Sequence, residues 1–172
     1  MPIKHSFNTK QVSREIKEAV EQVEYFPTQV IRNYVFNLIE YMVKISPVGD
    51  YDVYKKYYDA NFPGKSPENY EPGWFISNWH VSFKGGKEDP RPNSGPGLGE
   101  LVSIYEAQNK MKSFRLGRDS SITITNPVPY AGLIENGHSP IAPEGILQPT
   151  LQEKDVLLQQ AIQDTRANPK SK

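Results

Sequence analysis

Cysteine is missing from all 172 residues, so disulfides and cysteine-ligated metals are excluded. Histidine is scarce, with only His5, His80 and His138. An excess of one charge is missing too, since 20 Lys and Arg stand against 20 Asp and Glu. That balance argues against a polybasic nucleic-acid binder, although a neutral total can hide a polarised surface. The apolar stretches are too short and too interrupted to cross a bilayer. The opening MPIKHSFNTK lacks the hydrophobic core of a signal peptide. These absences lead to the expectation of a soluble protein of a reducing compartment, without membrane contact.

What the chain has in quantity is proline and tyrosine, 15 and 10 residues. Both suit stiff loops and amphipathic contact surface. The length is that of one domain with a real core. The expectation is a single domain over 1–172, with a Tyr-rich insertion at 49–72 and a flexible Gly/Pro loop at 84–99.

Helical spacing dominates the first quarter. Asn8 can cap a helix with Gln11 as its capping-box partner, and Val12, Ile16, Ala19, Val20 and Val23 follow on one face. Pro27 interrupts, as a break or as the first turn of a new helix. Val30, Tyr34, Leu38, Met42 and Ile45 then continue the stripe to Ser46-Pro47. Two N-terminal helices are therefore expected. Within the insertion, Tyr51, Tyr54, Tyr57 and Tyr58 are candidates for a contact arm, because clustered tyrosine is enriched at interfaces. A loop folded back on its own domain is the alternative.

From Phe75 to Phe83 the apolar residues Phe75, Trp79, Val81 and Phe83 share one parity, which predicts a strand with Trp79 as central plug. The segment 84–99 lacks the Gly-Lys-Ser/Thr ending of a phosphate loop. Helical spacing returns from Glu100 to Phe114 and again after Pro149. Between these helices lies the stretch Ser120–Gly145. Ile122 and Ile124 alternate with Thr123 and Thr125 as a strand, Asn126-Pro127 ends it, and Tyr130–Ile134 restarts an apolar run. Asn136-Gly137 supplies turn chemistry.

The run from Ile124 to Gly145, I-T-N-x-x-P-Y-A-x-x-I-E-N-G-H-S-x-x-A-P-x-G, closely resembles the signature of the tail-completion (neck, or head-proximal tail) proteins of tailed bacteriophages. A second block of that family is present but split. Ser46-Pro47-Val48-Gly49-Asp50 is similar to its first half, and Gly73-Trp74-Phe75-Ile76-Ser77-Asn78-Trp79-His80-Val81 to its second. The family runs almost directly from one half to the other, so the insertion is a departure. The residues carrying the resemblance are Ser46, Pro47, Gly73, Phe75, Asn78, Trp79, Asn126, Pro129, Tyr130, Ala131, Glu135, Gly137, His138, Ser139, Ala142, Pro143 and Gly145. The resemblance implies a structural virion protein, not an enzyme, without cofactor, metal or catalytic residues. It would form a ring, by family a hexamer, at the head–tail junction. Implied partners are copies of itself, connector and portal-side proteins, and tail tube or terminator proteins. DNA would pass through the middle without sequence-specific recognition. The implied location is the virion neck, with assembly in the host cytoplasm.

Two other readings stand beside this one. Glu135 and His138, three apart beside a turn, could be the centre of a metal-assisted hydrolase, but a metal site needs at least three placed ligands. The plainer reading is a hydrogen-bond clamp, in which Glu135 or His138 satisfies backbone groups of the Pro-rich loop. A DNA-channel-lining module is the other rival. The expected fold is α+β: two N-terminal helices and a C-terminal helix packed on a small, mostly antiparallel sheet of residues 75–83, 121–126 and 130–134.

Overall fold

The structure, a computed structural model, describes residues 9–49, 52, 55, 56, 59, 60, 72–83, 85 and 88–168. The N-terminal region is one helix, α1, running Thr9–Ile45 with Pro27 inside it. This overturns the expected pair of N-terminal helices. Proline removes one helical hydrogen bond and costs about 3 kcal/mol in an interior. Packing beyond it outweighs that local penalty: Val35, Ile39, Met42 and Val43 all lie in the main core.

Two strands follow, β1 at His80–Ser82 and β2 at Thr123–Thr125. They pair antiparallel, with Val81 opposite Ile124. The expected strand over 75–83 shrinks because its first half is a 3-10 turn, Ile76–Asn78. Side chains there compete with a ladder: Ser77 Oγ and Asn78 Nδ2 both donate to Trp74 O, at 2.9 and 2.8 Å. The expected strand over 130–134 is instead a short helix, α3, at Ala131–Glu135. So the sheet has two strands where three were expected. A five-residue apolar run is too short for its period to separate strand from helix.

The remaining helices are α2 at Pro96–Lys112 and α4 at Leu147–Ala167. Helix α2 starts inside the segment expected to be loop, with a proline in its first turn. Both α2 and α4 pack on α1, and α2 also covers β1 and the 3-10 turn. The contact of α4 is therefore chiefly with α1, not with the sheet as expected. Asn33 Nδ2 to Thr165 Oγ1 (2.9 Å) and Asn37 Nδ2 to Leu157 O (3.2 Å) join α1 to α4. The core gathers Ile39, Met42, Phe75, Trp79, Met111, Ile134 and Ile146 from every layer. Tyr51, Tyr54, Tyr57 and Tyr58 lie outside the described residues. Among the described residues, no helix is long and apolar enough to cross a membrane.

Candidate functional site

The two signature blocks, distant in sequence, meet in space. Asn126 Nδ2 donates to Phe75 O at 2.8 Å, while Asn126 Oδ1 accepts from Val128 N–H at 3.4 Å. The Tyr130 ring lies edge-on to Trp74 and tilted on Phe75, with centroids 6.0 and 6.4 Å apart. Phe75 in turn meets Trp79 edge-on at 5.3 Å.

The split block, Ser46–Asp50 and Gly73–Val81, ties the end of α1 to β1 and α2. Ser46 Oγ donates to Met42 O at 2.6 Å and accepts from Trp79 Nε1 at 2.9 Å. Pro47 is fully buried beside it. The Trp79 backbone N–H donates to Ser103 Oγ on α2 at 3.1 Å, and that hydroxyl donates onward to Ile76 O at 2.8 Å. Gly99 on α2 makes the close approach to this block possible. A Cβ on Gly99 would stand 2.9 Å from Gly73 O.

One residue outside both blocks completes the brace. Arg91 N–H donates to Asn78 Oδ1 at 2.6 Å, its carbonyl accepts from Trp74 Nε1 at 2.6 Å, and its guanidinium donates to Trp79 O at 2.7 Å. It anchors the middle of the Gly/Pro segment 84–99. Sequence reasoning missed it, since a single arginine among prolines carries no period or motif. Burial holds the Arg91 guanidinium below the ordinary arginine range, opposed by Glu106 and Glu88. His80 Nε2 lies 3.3 Å from Asn78 Oδ1. Its pKa is lowered by burial first and by Arg91 second, and Glu88 and Glu106 only partly oppose this.

The Ile124–Gly145 run is a sequence of backbone devices. Helix α3 ends with His138 N–H on Leu133 O and Gly137 N–H on Ile134 O, both 3.0 Å. That is the paired helix-ending pattern built on a left-handed residue, and Gly137 supplies it with φ 77°. Fully buried Ser139 accepts the Ile141 and Ala142 amides on its hydroxyl, each at 3.3 Å. Ala142 is buried in the core, Pro143 is exposed, and Gly145 folds the chain back. A Cβ on Gly145 would stand 2.5 Å from Glu135 O.

Glu135 is the expected clamp. Oε1 accepts from Leu147 N–H at 2.9 Å and Oε2 from Ile146 N–H at 3.1 Å. Its carboxylate thus satisfies two otherwise orphaned donors at the start of α4 and complements the helix dipole there. His138 is half-buried, and its backbone serves the end of α3. Among the described residues, no group of three or more His, Asp or Glu could hold a metal ion. Of the other resemblance residues, Ala131 is half-buried and Pro129 exposed.

The outward face of α2 is of another kind. Leu98, Leu101 and Tyr105 recur at helical spacing and are 61, 60 and 63% exposed. They line a shallow apolar depression with Val102 and Ile104. Compared with known proteins, the chain matches no family model, no curated protein and no solved structure.

Proposed function

We propose that this chain is a structural subunit of a tailed-bacteriophage virion. It stands at the head–tail junction as one copy of a ring, a hexamer by resemblance, that completes the tail and joins it to the head connector. One observation carries this reading. The resemblance residues close into a brace in which Trp79 bonds to Ser46, and Asn126 and Glu135 bond to backbone groups of the same chain. The product of such a brace is a fixed shape. The acid of the Glu135–His138 pair accepts two amides of the same chain, which favours the structural reading over a metal-assisted hydrolase.

A fixed shape with an exposed apolar helix face suits repeated contacts with neighbours. A head-to-tail contact between identical copies closes into a ring when the rotation closes. Partners in this reading are other copies of the chain, the connector and portal-side proteins above, and the tail tube or terminator proteins below. DNA passes through the opening. Electron microscopy of intact particles tests the proposal: density for this chain at the neck is expected. Particles with attached tails that lack the chain would reject it.

A further inference from the structure

The C-terminal end of α2 gathers three guanidinium groups on three consecutive carbonyls. Arg32, reaching from α1, donates through one nitrogen to Lys112 O and Phe114 O at 2.9 and 2.8 Å. Arg115 donates to the same two oxygens at 3.1 and 2.9 Å. Arg118 donates to the carbonyl between them, Ser113 O. Lys110 and Lys112 project from the last turn of the same helix. Lys110, Lys112, Arg115 and Arg118 are all exposed.

A helix C-terminus attracts cations, but its dipole amounts to only about half a charge. Carbonyl acceptors are neutral and leave each guanidinium charge whole. Among the described residues, the carboxylate bonded into this corner is that of Asp119, which takes Arg118 through both oxygens at 2.8 and 3.1 Å. Among the described residues, the side chains of Arg32, Arg115, Lys110 and Lys112 bond no carboxylate; Lys112 Nζ donates to Asn109 Oδ1 at 3.1 Å and Lys110 Nζ lies 5.5 Å from the centre of the Phe83 ring. Arg32 also has its buried Nε without a hydrogen-bond acceptor. Burial and the neighbouring Arg115 both push the Arg32 pKa down, as expected where two like charges crowd one oxygen. In a chain of zero net charge, this corner is a concentrated positive field.

We infer that this corner is a phosphate-contacting surface for duplex DNA, built from Arg32, Lys110, Lys112, Arg115 and Arg118. Exposed cations on an open corner suit an extended polyanion, and they contact backbone phosphates without reading bases. The inference rests on the ring-subunit reading, in which DNA passes through the assembly, and it assigns the surface that faces that DNA.

The test is fluorescence anisotropy of a labelled duplex of mixed sequence with the purified protein, titrated with salt. With three or four phosphate contacts, affinity should fall roughly 20- to 50-fold between about 50 and 150 mM salt. Lys110→Gln with Lys112→Gln should weaken binding several-fold and flatten the salt slope, while the protein stays folded with a melting temperature lowered by no more than a few degrees, since both lysines also sit favourably at the helix C-terminus. Arg115→Lys with Arg118→Lys should retain binding, because charge is kept even where carbonyl contacts change. Salt-insensitive binding, or duplex affinity unchanged in a Lys110→Gln/Lys112→Gln/Arg115→Gln variant that remains folded, overturns the inference. So does a variant that keeps duplex affinity but loses co-assembly with adjoining virion proteins, since the corner would then serve an acidic protein surface. Incorporation into particles is scored separately. A chain present at the neck that does not bind duplex DNA removes this inference alone, and a chain absent from tailed particles removes the ring reading.

Discussion

The indole Nε1 of Trp79 donates to the hydroxyl of Ser46 at 2.9 Å across 33 residues of chain. The bond is buried and joins the residue just past α1 to the residue just before β1. Ser46→Ala would leave a buried indole N–H without its acceptor, at a cost of about 1–3 kcal/mol. Trp79→Ala would cost about 3–5 kcal/mol, mainly through the cavity. In urea denaturation the double variant should cost less than the two singles combined, because the shared bond is lost only once. Strict additivity would show that the bond contributes nothing.

Glu135 holds the first amides of α4 with both oxygens. Glu135→Gln keeps one acceptor and loses the charge, so stability should fall by about 1–2 kcal/mol. The loss should be read as a lower denaturation midpoint with unchanged helical circular dichroism. A variant as stable as the parent would remove the clamp.

Gly132 and Gly137 make a matched pair of alanine substitutions. A Cβ at Gly137 would stand 2.4 Å from Pro143 O on a backbone of φ 77°. Gly137→Ala should therefore destabilise by roughly 3 kcal/mol. A Cβ at Gly132 meets nothing within 4 Å, and the residue is inside α3. Gly132→Ala should stabilise by up to about 1 kcal/mol. Thermal melts of the two variants should move in opposite directions.

His80 has its pKa lowered from 6.5 by burial and by Arg91, so the folded state favours the neutral ring. The unfolded chain takes up the proton first as pH falls. The stability His80 contributes is present above 6.5 and is lost as pH falls through its lower folded value. Urea midpoints measured between about pH 7.5 and about pH 5 should drop less in His80→Gln than in the parent. Equal slopes would place the acid sensitivity elsewhere.

Leu101 and Tyr105 expose most of their surface on the outer face of α2. Leu101→Arg with Tyr105→Arg should change monomer stability by no more than about 0.5 kcal/mol, as exposed substitutions do. If this face meets a neighbouring subunit, ring formation seen by electron microscopy should fail in the same variant. Normal rings would assign the face no role in assembly.

Much of the local chemistry was legible from residue order. The Asn-Gly turn and the stop at Asn126-Pro127 follow from backbone rules that act over four or five residues, whereas the breaks between helices do not: the expected break at Pro27 is absent and α2 starts four residues before Glu100. The clamp at Glu135 could be anticipated as one of two candidates, since a carboxylate beside a proline-rich loop has few other uses. The brace through Arg91 could not. Its three bonds reach 12 to 17 residues along the chain to groups that only the folded backbone brings together.

Composition and periodicity alone determined the absence of disulfides, the helical face of α1 beyond Pro27 and the stiff corners after Asn126. Tertiary structure decided that α1 runs unbroken through Pro27, that Tyr130 begins a helical turn, and that Arg32 of α1 and Arg115, just beyond α2, share the carbonyls of Lys112 and Phe114. The reason is one of range. A local preference is worth a few kcal/mol at most, and burying a shared face across several elements can outweigh it.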